Sequence, residues 1–196
     1  MYLIATFPSK HYDIQEYPAV KQHLLSFGYE RLKQTGEPGA RKKTNNKWFE
    51  TQDSINYWED FSKQKIVWGE ISDRTKFCMD SHGDFVCEAT TFLMTGDSLL
   101  SLLCYLNSSL SEYLFSQIGT TTGVGTVRWK KFTIEQLKIP KELLLKGKNS
   151  LETMGNQIIL QKQNRKDISV LEKEVDKLIY KAFDFTEREI KVIERK

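Results

Sequence analysis

Two stretches of the chain set cationic, amide and aromatic side chains next to one another. One is Arg41-Lys42-Lys43-Thr44-Asn45-Asn46-Lys47-Trp48-Phe49. The other is the Gly/Thr-rich run GTTTGVGTV, Gly119 to Val127, followed at once by Arg128-Trp129-Lys130-Lys131-Phe132. Ammonium groups neutralise phosphates, the Arg fork matches the edge of guanine, and an Asn amide pairs with adenine. The chemistry implied is recognition of a polyanion, not bond making. On these grounds Lys42, Lys43, Lys47, Lys130 and Lys131 are candidate phosphate contacts. Arg41, Asn45, Asn46, Arg74 and Arg128 are candidate base-edge contacts. Thr121 and Thr122 offer hydroxyls to phosphate, and Trp48 and Trp129 pack under such a surface or stack against sugar.

Each stretch has an ordinary competitor. Runs such as ARKKTNNK are usually solvated loops. For residues 41–47 the two readings stand level. For residues 119–132 the basic and aromatic tetrad directly after the glycines favours contact with DNA over a plain flexible loop. The spacing GTTTGVG is neither GxGxxG nor GxxxxGK[ST], which rejects a nucleotide-phosphate loop. The expectation is that loops 41–47 and 120–131 together make the DNA-facing surface.

The chain has 196 residues, 39% hydrophobic, 28% charged and 12% aromatic, enough for one domain with a core or for a domain with an appended helical element. Its net charge of +3 is too small to argue for a polyanionic partner without the local clusters. No run approaches the roughly 20 apolar residues of a membrane span, and MYLIATFP is too short for a signal peptide, so a cytoplasmic location is expected. Cys78, Cys87 and Cys104 are odd in number and lack CxxC spacing, and His11, His23 and His82 are scattered, so neither a disulfide framework nor a metal site is expected. The chain contains no HExxH, GxSxG, Walker, kinase or EF-hand pattern, no NPPY-type tetrapeptide and no PD…ExK pattern. No catalytic residue is therefore assigned.

The elements that must position these side chains read as follows. Tyr2 to Phe7 is a short strand, and Pro18 opens a helix that fails at the breaker GEPG, Gly36 to Gly39. Asn56 to Phe61 makes a helical turn, and Lys65 to Ile71 a buried strand. Lys76 to Met79 and Phe85 to Ala89 flank the turn tetrad Ser81 to Asp84 as a hairpin. Thr90 to Thr95 continues as a strand. Ser98 to Ile118 has leucines at helical spacing, with a polar interruption at Asn107 to Ser109. Thr133 with Gln136 suggests a capping box, as does Thr186 with Glu189. KGKN, Lys146 to Asn149, marks a linker. Ser150 to Phe183 reads as one long amphipathic helix that needs a partner, with a possible break at Gly155. The fold expected is α/β in the α+β sense: a mixed sheet with flanking helices and a long C-terminal helix. Its domains are expected at 1–148 and 149–196.

The blocks YPAVKQHL (Tyr17 to Leu24), KWFETQD (Lys47 to Asp53), KIVWGEIS (Lys65 to Ser72), FLMTG (Phe92 to Gly96), LLCYLNSSLSEYLF (Leu102 to Phe115), RWKKFTIEQLKIP (Arg128 to Pro140) and LEKEVDKLIYKAFDFTEREIKVIE (Leu171 to Glu194) occur in an order that resembles one family. That family is the TaqI-like C-terminal specificity domain of type IIG, type IIS-like, restriction–modification enzymes. The resemblance implies a target recognition domain that binds double-stranded DNA in the bacterial cytoplasm. It implies an upstream adenine-N6 methyltransferase domain as partner. S-adenosylmethionine and Mg2+ would belong to that parent enzyme, with neither in this fragment. The residues themselves leave open a second function, a protein-interaction module that docks through the long C-terminal helix.

Overall fold

A computed structural model describes residues 3–121, 126–145 and 150–194. The chain forms two compact units, Met1–Glu59 and Asp60–Lys196. The division falls inside the aromatic stretch between Lys47 and Ser72, whereas residues on both sides of 148 share one core in the second unit. The architecture is mixed α and β, with helices in both units and two small antiparallel sheets in the second.

In the first unit no strand forms over residues 3–7. Instead the chain makes short 3-10 turns at Pro8–Lys10 and Ile14–Glu16 before helix α1, Pro18–Leu25. Gly28, at φ 92, turns the chain into α2, Tyr29–Leu32, so the helix expected to reach GEPG stops early. Phe7, Ile14 and Phe49 supply the buried apolar side chains of this unit.

The second unit opens on β1, Lys65–Gly69, which lies between β3, Cys78–Asp80, and β4, Thr91–Met94, in an antiparallel sheet. Ile66 and Trp68 alternate into the core as a half-buried strand requires. The expected hairpin around Ser81 to Asp84 does not form. β3 pairs with β1 instead, in the register Lys65↔Asp80, and residues 85–89 are not a strand. The cause is Asp80. Its Oδ1 accepts the N–H groups of Gly83 (3.0 Å) and Asp84 (3.1 Å), and its Oδ2 accepts that of Phe85 (3.1 Å). Lys65, wholly buried, donates to the same carboxylate and to the Phe61 carbonyl at 2.6 Å. The loop wraps this carboxylate instead of pairing with the preceding strand.

Helices α3, Leu99–Leu106, and α4, Ser109–Ile118, divide at Asn107-Ser108, where the polar interruption was expected. Ser108 caps α4 through the Ser111 N–H at 3.2 Å, and the Asn107 amide brackets the backbone of Phe77. After α5, Lys131–Ile134, come α6, Leu151–Gln163, α7, Ser169–Ala182, and α8, Glu187–Ile193. The expected single helix over 150–183 is thus two helices. Gly155 does not break α6. A Cβ there would sit 3.2 Å from Cys104 Sγ and 3.2 Å from the Leu100 carbonyl, so the glycine permits a close crossing with α3. The apolar stripe finds its partner within the unit, since Leu151, Val175, Ile179 and Tyr180 join the core.

The break comes later and has a defined form. Arg165 adopts φ 54, and the N–H of Lys166 reaches the Gln161 carbonyl at 2.9 Å, closing a left-handed C-terminal cap on α6. An L side chain in that region carries a penalty that glycine escapes, so Arg165→Gly raises stability by about 0.5–1 kcal/mol. The check is a urea unfolding midpoint that moves upward with an unchanged slope. Thr186 and Glu189 make the capping box expected at the start of α8. Thr133 makes none. It is buried inside α5, whose N-cap is Lys130. KGKN lies outside the described residues.

Candidate nucleic-acid interface

Each unit carries one of the two basic stretches. In the first, residues 41–47 are tied down. Backbone bonds join Arg41 N–H to the Lys33 carbonyl and Thr44 N–H to the Gln34 carbonyl. The buried Gln34 amide donates to the carbonyls of Lys47 (2.9 Å) and Glu50 (2.8 Å), while Thr44 donates to its oxygen. Two of the proposed base-edge side chains serve this scaffold. Arg41 Nε donates to the Leu32 carbonyl at 2.9 Å and its Nη2 to the Trp48 carbonyl, and burial draws its pKa below the ordinary Arg value. Asn46 donates to the carbonyls of Thr51 and Gln52 at 2.9 and 3.1 Å. The donors that these two residues commit to backbone carbonyls hold the loop.

What that loop presents outward is Lys42, Lys43, Asn45 and Lys47, all exposed. Lys42 pairs with Asp53 at 3.6 Å, an exposed contact of little energetic weight. Lys47 Nζ lies 3.3 Å from the Tyr12 carbonyl and 5.6 Å from the Phe49 ring. Trp48 is half-buried, edge-on to Tyr29 and Phe49, and packs under the loop.

In the second unit the stretch after α4 builds a small sheet. Gly119 turns the chain, because a Cβ there would lie 2.6 Å from Val127 Cγ1 and 2.7 Å from the Phe115 carbonyl. The strands are β2, Ile71–Ser72, β5, Thr120–Thr121, and β6, Val127–Arg128, in the order β2-β6-β5. Arg128 pairs with Ile71 on one side and Thr120 on the other. Side chains directly opposite one another share a sheet face, and Ile71, Arg128 and Thr120 are all exposed. Trp129 points the other way. It is buried and stacks on Phe115 with ring centres 3.8 Å apart at 12°. Its backbone is fixed from both sides: its N–H donates to the Glu70 carbonyl at 2.7 Å, and its carbonyl accepts from Trp68 Nε1 at 2.8 Å.

Arg128 Nη1 donates to Glu70 Oε1 at 3.1 Å. Lys130 is half-buried, its ammonium 5.8 Å from the exposed Phe132 ring, and Lys131 is exposed with Glu135 at 3.6 Å. Arg74 is exposed on the segment after β2. Thr121 lies in β5, its backbone paired with Val127, and Thr122 lies outside the described residues. Glu70, Ile71, Thr120 and Phe132 were not singled out from the sequence. The available signal was Gly69, which ends β1 and lets Ile71–Ser72 join another sheet.

A family model, the TaqI-like C-terminal specificity domain, matches residues 12–139. The chain belongs to this family. Every candidate contact residue of the specificity domain falls inside the matched segment, and α6, α7 and α8 follow it. Membership makes the segment a DNA target-recognition module of the restriction–modification class. No curated protein matches the chain significantly. Among the described residues, no group of three or more His, Cys, Asp or Glu side chains is placed to hold a metal ion, and no helix is long and apolar enough to cross a membrane. All three cysteines are free thiols.

Proposed function

We propose that this chain is the DNA-reading portion of a bifunctional restriction endonuclease and adenine-N6 DNA methyltransferase of the type IIG class. In this reading an upstream methyltransferase domain of the same parent protein, using S-adenosylmethionine, and a nuclease activity using Mg2+ perform the chemistry in the bacterial cytoplasm. The specificity domain holds the duplex and selects the site. The observation that carries the reading is the family match over a segment in which each unit bears exposed cations and the second also bears a sheet face with an exposed arginine. Lys42, Lys43 and Lys47 on the first unit, and Lys130 and Lys131 on the second, supply phosphate contacts. These set affinity and salt dependence without sequence information. Arg128, with Arg74 and Asn45, remains for base edges.

The competing reading, docking through the C-terminal helices, has less support because Leu151, Val175, Ile179 and Tyr180 of those helices pack within the unit, leaving Leu160 and Val170 exposed.

The test is fluorescence anisotropy of the full chain with duplex DNA at a series of salt concentrations. Lys130→Ala/Lys131→Ala flattens the plot of log affinity against log salt by about 1.8, since each lost phosphate contact on B-DNA removes about 0.9. A chain that binds no duplex at low salt, or whose slope ignores this double substitution, overturns the assignment.

A further inference from the structure

We propose that Ile71, Arg128 and Thr120 form a base-reading row that enters the major groove, with Arg128 on a guanine and Ile71 on the methyl group of an adjacent thymine. The inference rests on the DNA-binding reading above and goes further by naming the bases and the residues that read them.

The register is the first observation. Arg128 on the central strand β6 is flanked in one cross-strand line by Ile71 on β2 and Thr120 on β5. All three are exposed on the face opposite the buried Trp129. Neighbouring strands lie about 4.8 Å apart, so the row spans about 10 Å from Ile71 to Thr120. The major groove is about 12 Å wide, and the row is laid along it, so that the exposed side chains of this sheet face and not the three-stranded sheet itself enter the groove. With base pairs stacked about 3.4 Å apart, each flanking side chain lies between one and two base steps from the one under Arg128. Three side chains in a line therefore address neighbouring pairs, not a single one.

The side-chain chemistry selects the bases. Arginine has only donors. Guanine presents two acceptors on its groove edge, O6 and N7, whereas adenine pairs one acceptor with a donor that repels the fork. Ile71, 55% exposed, covers no core. The one apolar group on a major-groove edge is the thymine methyl. Thr120 has a hydroxyl that accepts or donates and so discriminates least.

The second observation is Glu70. Its carboxylate holds Arg128 Nη1 at 3.1 Å, and its backbone is locked between the Thr90 carbonyl (3.0 Å) and the Trp129 N–H (2.7 Å). Long flexible side chains lose rotamer freedom on binding. A carboxylate that pre-aims the guanidinium reduces that loss and leaves the remaining N–H groups for guanine. Glu70 is a positioning residue in this scheme. Lys130 and Lys131 follow within three residues of Arg128 and offset the negative charge that Glu70 brings near the phosphates.

The experiment begins with selection of preferred duplexes from a randomised pool by the full chain, followed by anisotropy on the selected duplex and its analogues. The expected consensus contains a guanine next to a thymine. Replacing that guanine by 7-deazaguanine, which lacks the N7 acceptor, weakens binding roughly tenfold, as loss of half a bidentate pair should. Replacing the thymine by uracil, which lacks the methyl, weakens it by a smaller factor.

Arg128→Lys keeps the charge but loses the fork, and it binds the guanine and 7-deazaguanine duplexes equally. Ile71→Ala binds the thymine and uracil duplexes equally. Glu70→Ala narrows the guanine preference while leaving the salt slope intact, which a merely structural loss does not do. All three variants are first shown to unfold with the wild-type urea midpoint. If the chain binds its selected duplex with a salt slope sensitive to Lys130 and Lys131, yet Arg128→Lys still discriminates 7-deazaguanine, the row does not read guanine and the proposal falls alone. If no duplex is bound at all, the DNA-binding reading falls with it.

Discussion

Lys65→Met lowers the unfolding free energy by about 3–5 kcal/mol, the usual cost of stranding one member of a buried ion pair. Lys65 is wholly buried and Asp80 is 5% exposed, so neither has water to fall back on. Removing the ammonium leaves the Asp80 carboxylate with three backbone N–H groups but no counter-charge, and takes the Lys65 donor from the Phe61 carbonyl. Lys65→Met/Asp80→Leu loses less than the sum of the two single substitutions, because no charge remains unpaired.

The pH dependence follows from the same pair. Burial by itself pushes the Asp80 pKa upward. The Lys65 hydrogen bond and the backbone donors of Phe85 and Asp84 outweigh it and bring the group down to about 2. A carboxylate whose folded pKa lies below its unfolded one stabilises fully above the unfolded value and loses that contribution as pH falls through the folded value. The wild-type protein therefore loses the Asp80 contribution between about pH 4 and pH 2. In Lys65→Met the acid loss begins at higher pH. Urea melts between pH 2 and 7 measure both effects. An unchanged midpoint in Lys65→Met at pH 7 refutes the account.

Trp129→Ala is the second large effect, about 3–5 kcal/mol for deleting a buried indole. The ring lies flat on Phe115 and edge-on to Phe77, and it sits directly behind Arg128. The substitution thus removes core packing and loosens the segment that sets the registers of β2 and β6. DNA affinity falls with stability even though the side chain is buried behind the proposed contact face. Trp129→Phe separates the two contributions. The indole Nε1 is buried with no hydrogen-bond partner among the described residues, so the smaller ring gives up area but also removes an unpaired donor. It costs about 1 kcal/mol, as volume-reducing aromatic swaps with partial compensation do, and it leaves binding near wild type. Urea denaturation followed by circular dichroism, paired with anisotropy on duplex DNA, measures both quantities.

How much of this was legible beforehand depends on the range of the interaction involved. The leucine spacing of α3 and α4 and the break at Asn107-Ser108 are local, and both were readable. So was the capping box at Thr186. The break at Arg165 was not, because no glycine or proline marks it and an arginine fills a position that glycine usually takes. The turn residues Ser81 to Asp84 were correctly seen as a turn. The pairing was not, because it depends on Asp80 meeting a lysine on another strand.

The same limit governs the site. Exposed cations such as Lys43 and Lys131 follow from composition. Whether an arginine reaches solvent or bends back onto a carbonyl does not, so the carbonyl bonds of Arg41 and Asn46 were not foreseen. The line from Ile71 through Arg128 to Thr120 exists only once three strands distant in sequence are laid side by side.

The collar of amides around Asp80 has one more implication. Everything it collects from Gly83, Asp84 and Phe85 is main chain, and only Gly83, at φ 73 against the Ser62 backbone, is constrained in identity. Phe85 and Val86 stand 69% and 50% exposed just beyond it. Their side chains make none of the bonds to Asp80, so the positions tolerate exchange while the contour stays put. Diversity can accumulate there without a folding penalty, on a support anchored beneath by one lysine.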